Sequence, residues 1–145
     1  MTGPSPSPAR APQANPAPSL DARGLPLGYT FKPDWEVTPR DAANALQQPE
    51  AVRPLLVDCR RDDEWAFNRI TGAVHMPLAD LERRADELAD DQGHKTRPII
   101  VQCHHGARSL RAAAALRALG FSDVKSLAGG IELWSLTIDP TVPRY

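Results

Sequence analysis

Cysteine is scarce. Cys59 and Cys103 are the two the chain contains, and no Cys-x-x-Cys pair joins them. Two thiols cannot build a disulfide scaffold, and the spacing of a zinc site or a thioredoxin-type redox pair is missing. A surplus of either charge is missing too. Seventeen Lys and Arg against eighteen Asp and Glu leave a formal net charge of -1, without the basic surplus that nucleic-acid binding needs. No apolar run approaches the ~18 residues of a membrane span, and the first residues lack the charged-then-apolar order of a secretory leader. These absences set the expectation of a soluble, cytoplasmic protein with no nucleic-acid and no membrane partner.

Large apolar residues are missing from one end, where Met1 is the only one before Leu20. What that end has instead is proline. Six of the fifteen, Pro4, Pro6, Pro8, Pro12, Pro16 and Pro18, fall in the first eighteen residues among Ser, Ala, Gln and Asn. Such a segment buries too little surface to offset its ordering entropy, and proline removes backbone donors. Residues 1–27 are read as a disordered, Pro-rich tail whose last residues lead into the fold. A proline-rich ligand for an aromatic groove is the alternative use. Residues 28–145 are then one domain of common size.

Within that domain strand and helix signals alternate. Trp35 to Val37 reads as a short strand. Thr38-Pro39 reads as an N-cap with proline in the first helical position, opening a helix through Leu46 that Pro49 closes. Leu55 to Val57 and Ile99 to Val101 are continuous apolar runs, the mark of strands buried on both faces. Asp62 to Asn68 suits a short helix and Gly72 to Met76 a short strand. Leu78, Leu81, Ala85 and Leu88 line one helical face. Leu110 to Leu119 is an alanine-rich helix ended by Gly120, and Val124 to Leu127 is the last strand. The pattern predicts an α/β fold, a parallel sheet of about five strands with helices on both faces.

One strand end stands apart. Ile99 to Gln102 runs into Cys103-His104-His105-Gly106-Ala107-Arg108-Ser109, and a helix follows at once. A cysteine there faces unpaired backbone N–H groups and the positive end of a helix dipole. Arg108 and Arg111 add positive charge, so the thiol pKa is expected to fall. Gly106 supplies the freedom that a tight anion-cradling loop needs. Cysteine-type phosphatases hold a tetrahedral phosphate in a Cys-x5-Arg loop, whereas here only four residues separate Cys103 from Arg108. The narrower cradle suits a sulfur atom carried on the cysteine.

The residues Leu56 to Arg60, Glu64-Trp65 and Ile70 to Leu78, then the Cys103 to Ser109 loop, Gly120-Phe121, Leu127 to Ile131 and Trp134, occur in the order of a rhodanese domain. The resemblance covers about residues 33–136. It implies a thiosulfate-type sulfurtransferase, in which Cys103 takes a sulfane sulfur as a persulfide and passes it to a thiophilic acceptor without a cofactor. The ending Asp139 to Tyr145 is similar to that of rhodanese modules fused to enzymes that activate sulfur-carrier proteins.

On this reading Cys103 is the nucleophile, and the backbone of His104, His105, Gly106, Ala107, Arg108 and Ser109 holds the terminal sulfur, as oxyanion donors do. Arg108 draws in a small anionic donor such as thiosulfate. Arg60 is assigned to the substrate pocket, with a structural ion pair as its alternative. Asp58 is structural, accepting bonds from loop backbone. The family usually has an aliphatic residue where this chain has Cys59, which is read as a packed small hydrophobe, with a resolving thiol for Cys103 as the alternative. Asn68-Arg69 stand where the family often has Gly-His, so no histidine acts there. Neither His104 nor His105 is assigned to a metal, because adjacent side chains rarely converge on one ion. The acceptors considered are a sulfur-carrier protein, a thioredoxin-like dithiol and small thiols. A non-catalytic binding module and a Cys-dependent phosphatase or arsenate reductase are the competing functions.

Overall fold

The apolar runs Leu55–Asp58 (β2) and Ile99–Gln102 (β4) lie side by side in parallel, with Leu55 opposite Ile99 and Asp58 opposite Gln102. In the computed structural model, which describes residues 3–4 and 13–145, they form the centre of a five-stranded sheet. Val124–Leu127 (β5) pairs with β4, and Glu36–Val37 (β1) pairs with β5. Val74–His75 (β3) pairs with the other side of β2. The order is β1-β5-β4-β2-β3, with every pairing parallel. Parallel neighbours require crossovers, which supply the helices that cover both faces.

The period of two along each strand sorts the side chains into two cores. Val57, Ile99, Val101 and Val124 pack on one face against Ala112, Ala113 and Leu116 of the helix Ala107–Ala118 (α4). Leu56, Ile100 and Leu127 pack on the other, against Ala42 of the helix Pro39–Leu46 (α1) and Ile131 and Trp134 further on. Thr38 caps α1 as expected, its hydroxyl accepting from the Asp41 amide at 3.2 Å. The helix Asp62–Phe67 (α2) follows β2.

Three segments depart from the sequence reading. The face of Leu78, Leu81, Ala85 and Leu88 is buried or half-buried as expected, but its helix is broken. Only Leu81–Arg84 (α3) is α-helical, between 3-10 turns at Leu78–Asp80 and Ala85–Leu88. The apolar spacing explains this: Leu78 to Leu81 and Ala85 to Leu88 are steps of three, which a 3-10 turn brings to one side. Next, α4 begins at Ala107, not Leu110, so Arg108 and Ser109 lie in its first turn. Gly106, at φ 108°, turns the chain out of the loop directly into helix. Finally, Gly130–Thr137 is a further helix (α5) that the sequence reading does not contain. Ile131 to Ser135 are all buried, so no polar face marks the helical period.

Packing also starts before residue 28. Leu25 is fully buried with Ala128 and Leu133, and Leu20, Tyr29 and Phe31 lean on them. Leu20 and Pro26 form an isolated antiparallel bridge. The boundary at 28 therefore falls inside a packed segment. Residues 1–2 and 5–12 of the tail expected to be disordered lie outside the described residues. Among the described residues no helix is long and apolar enough to cross a membrane.

Candidate active site

β4 ends at Gln102, and the next residue, Cys103, turns its sulfur into the mouth of its own loop. Sγ accepts from the Gly106 amide at 3.1 Å and the Ser109 amide at 3.4 Å, and lies 3.3 Å from the Ser109 hydroxyl. Ser109 is anchored in turn by Ser126 of β5, the two hydroxyl oxygens 2.7 Å apart. The amides of Ala107 and Arg108 also lie in the first turn of α4 and have no intrahelical carbonyl to meet. The loop thus sets two amide donors and a hydroxyl around one sulfur.

The Cys103 thiol is drawn down to about 5. The neighbouring Cys59 thiol is the largest influence, opposed by burial and helped by the Ser109 hydroxyl and the two amides. Cys59 moves the other way, pushed up by Cys103 beside it, by burial and by the charge of Asp58. Of the two buried cysteines, Cys103 is the one surrounded by N–H donors, so it carries the charge.

The loop's back wall is α5. Its first amides close on the loop carbonyls, Ile131 to Cys103 at 2.8 Å and Glu132 to His104 at 3.2 Å. This approach depends on Gly130, where a Cβ would stand 2.4 Å from the Cys103 carbonyl oxygen and 2.5 Å from that of His104.

Beside the loop lies a cavity of about 450 Å³, lined by Cys59, Arg61, Leu78, Ala79, Arg108 and Arg111 among others. Three guanidinium side chains on one cavity suit an anion. Arg108, however, is not free to grip one. It clamps Glu64 of α2 with both terminal nitrogens, at 2.6 and 2.9 Å. Burial pushes the Glu64 carboxyl up, but Arg108 and the Tyr145 hydroxyl outweigh it and hold it at about 2.

A family model described as Rhodanese-like domain matches residues 38–137. The chain belongs to the rhodanese-like family. It is similar to the protein named thiosulfate sulfurtransferase GlpE of Pseudomonas fluorescens (strain SBW25), 44% identical over 107 residues that cover 72% of this chain and 88% of that one. It is 30% identical over 120 residues to the Arabidopsis thaliana protein named adenylyltransferase and sulfurtransferase MOCS3, covering 75% of this chain but 25% of that longer protein. Among solved structures, the Alr3790 protein from Anabaena sp. superposes with a TM-score of 0.63 at 26% identity, covering 75% of this chain and 82% of that one.

Within this rhodanese-like domain the sequence-predicted residues separate into two groups. Cys103, Gly106 and Ser109 meet at the sulfur. His104 is half-buried, stacked on the Tyr145 ring with centroids 3.8 Å apart, and burial followed by the charge of His105 lowers its pKa. His105 and Ala107 are exposed on the rim.

Arg60 requires a correction. It is fully buried, with Nη2 on the Asp58 carboxylate at 2.8 Å and the remaining donors on Asp58, Asn68 and Tyr145. All five N–H groups are taken, so Arg60 has none left for a substrate, and its structural alternative holds. Asp58 also accepts from the Arg60 backbone amide at 3.0 Å. Two residues were given no role from sequence, Glu64 and Tyr145. Glu64 lies within the Glu64-Trp65 motif, but nothing in a linear chain pairs it with Arg108, 44 positions away. Tyr145 is 81 positions from the carboxylate that its hydroxyl meets.

Proposed function

We propose that this rhodanese-like protein is a sulfurtransferase that carries sulfur on Cys103. The observation that carries the reading is the buried Cys103 sulfur held by the Gly106 and Ser109 amides at 3.1 and 3.4 Å. A thiolate is the form that attacks sulfur, and this loop stabilises it without a general base. The naming of the GlpE relatives supports thiosulfate as the donor class.

In the first step the Cys103 thiolate attacks the outer sulfur of thiosulfate. The new Cys103 sulfur–sulfur bond forms as the bond inside thiosulfate breaks, and sulfite leaves with the electron pair. The negative charge then rests on the outer persulfide sulfur, where first-turn amides of α4 are available to it. In the second step a nucleophilic acceptor attacks that outer sulfur, and Cys103 departs as the thiolate it was. Every group returns to its starting state, so no cofactor is consumed. The acceptor classes that fit are a dithiol of thioredoxin type, a sulfur-carrier protein or, in the assay, cyanide.

Treating the reduced protein with thiosulfate, desalting and weighing it intact at once should show one added sulfur atom. Cyanide should remove it as thiocyanate. The Cys103→Ala chain should gain nothing. A wild-type chain that stays at its reduced mass overturns the reading.

A further inference from the structure

The register of the central strands places the second cysteine beside the first. Asp58 and Gln102 are the last paired residues of β2 and β4, and the Cys59 amide continues the pattern by donating to the Gln102 carbonyl at 3.0 Å. Cys59 and Cys103 therefore follow as neighbours across adjacent parallel strands. Both belong to the same apolar core as Val57 and Val101, two residues before each, so their side chains share a face. Adjacent strands lie about 4.8 Å apart, inside the range of about 4.4–6.8 Å between Cα atoms that a disulfide spans. Both cysteines are buried and free. The arginine-lined cavity reaches Cys59, giving a small anion a way out from that side.

We propose that Cys59 is the resolving thiol of Cys103: once the Cys103 sulfur carries a leaving group, Cys59 attacks that sulfur and the two close a disulfide. From the persulfide, a bond forms between the two Sγ atoms while the bond from Cys103 to its outer sulfur breaks. The outer sulfur takes the electron pair and the Cys59 proton and departs as hydrosulfide. It is reduced by two electrons as the two cysteine sulfurs are oxidised. This route rests on the sulfur-transfer reading. A second route does not, and needs only a peroxide. The Cys103 thiolate attacks a peroxide oxygen and becomes a sulfenic acid, and Cys59 then displaces that oxygen as water. Either route ends in a disulfide that needs a dithiol reductant to reopen.

The pair also has a built-in order. The free Cys103 thiolate is the main influence that keeps Cys59 protonated and unreactive. When Cys103 is a sulfenic acid, or its charge has moved to an outer sulfur, that hold on Cys59 is released.

The test uses the whole reduced chain in two arms, one equivalent of hydrogen peroxide or thiosulfate followed by desalting. Intact mass and alkylation of the remaining thiols after denaturation are read in both. In the peroxide arm the wild-type monomer should lose the mass of two hydrogens and resist alkylation at both cysteines until a dithiol is added. Proteolysis should yield one cross-linked pair of peptides, containing Cys59 and Cys103. This readout needs no variant to fold. In the thiosulfate arm the wild type should first carry one added sulfur and then, on standing without an acceptor, convert to the same species with one hydrosulfide released per chain, while Cys59→Ser keeps its added sulfur. A wild-type chain that instead keeps oxygen on Cys103, or joins two chains through Cys103, overturns the proposal. If neither wild type nor Cys59→Ser takes sulfur from thiosulfate while peroxide still closes the disulfide, the sulfur-transfer reading has failed and the cysteine pair stands.

Discussion

Cys103 is made a thiolate by donors alone. Two amides, a hydroxyl and a neighbouring thiol surround it, and each of them bonds more strongly to the anion than to the thiol. Its folded pKa is depressed to about 5, against about 8.5 for a free cysteine. The stabilisation is therefore fully present above the unfolded value and is lost as pH falls through the folded one. Alkylation of the native chain by iodoacetamide should rise to its plateau through a midpoint near pH 5. Ser109→Ala should move that midpoint up by about one unit or more, since a hydrogen bond to a charged group is worth about 1.5–3 kcal/mol and one unit is about 1.4. Arg60 gives a different expectation. Removing one partner of a buried ion pair costs about 3–5 kcal/mol, so Arg60→Ala should lower the urea midpoint by that equivalent. The KM for thiosulfate in the chain that remains folded should not change. Arg60→Lys should not rescue it, because an ammonium cannot reproduce the fork that meets Asp58, Asn68 and Tyr145.

At the scale of elements, α5 holds the loop from behind. Its first amides bind the Cys103 and His104 carbonyls, and Gly130 is the residue that lets them approach. Gly130→Ala sets a methyl group against two carbonyl oxygens, at a backbone φ of 59° that side chains disfavour. Overpacking and backbone strain each cost about 1–3 kcal/mol, so a loss of about 3 kcal/mol is expected in chemical denaturation. The sulfur-loading rate should fall with it, because the displaced loop no longer aims its amides. The alanines of α4 act on the opposite face of the sheet. Ala112 and Ala113 are fully buried, and their small side chains let the helix carrying Ser109 lie close to β4 and β5.

At the scale of the molecule, segments from before and after the sheet come back to the site. The C-terminal Tyr145 stacks on His104 and donates to Glu64, while accepting from Arg60. The Leu20 to Phe31 segment covers Ala128 and Leu133, next to the same loop. Leu25→Ala removes a fully buried leucine and should cost about 2–5 kcal/mol in urea denaturation, although the residue precedes the part that reads as a domain. Deleting Tyr145 should cost about 1–3 kcal/mol, the penalty for leaving buried polar groups without a partner. It should also raise the Glu64 pKa, since one of the groups that lower it is gone. Nuclear magnetic resonance titration of the Glu64 carboxyl carbon would read that shift.

By itself the sequence determined what depends on neighbours along the chain. The apolar runs at Leu55 and Ile99 marked the central strands, Thr38-Pro39 marked a helix start, and the Cys103 to Ser109 loop marked the thiolate. Each is a local match between side-chain pattern and backbone geometry. Tertiary structure alone decided three things. A helix buried on all sides, α5, shows no period to read. The assignment of Arg60 to Asp58, Asn68 and Tyr145, and of Arg108 to Glu64, depends on which acceptors folding brings within reach of a guanidinium. The nearness of Cys59 to Cys103 depends on strand order, because β2 and β4 touch only after β3 has been passed to the sheet edge. From the sequence a resolving role for Cys59 is only an alternative to packing, and parallel pairing sets the two thiols side by side.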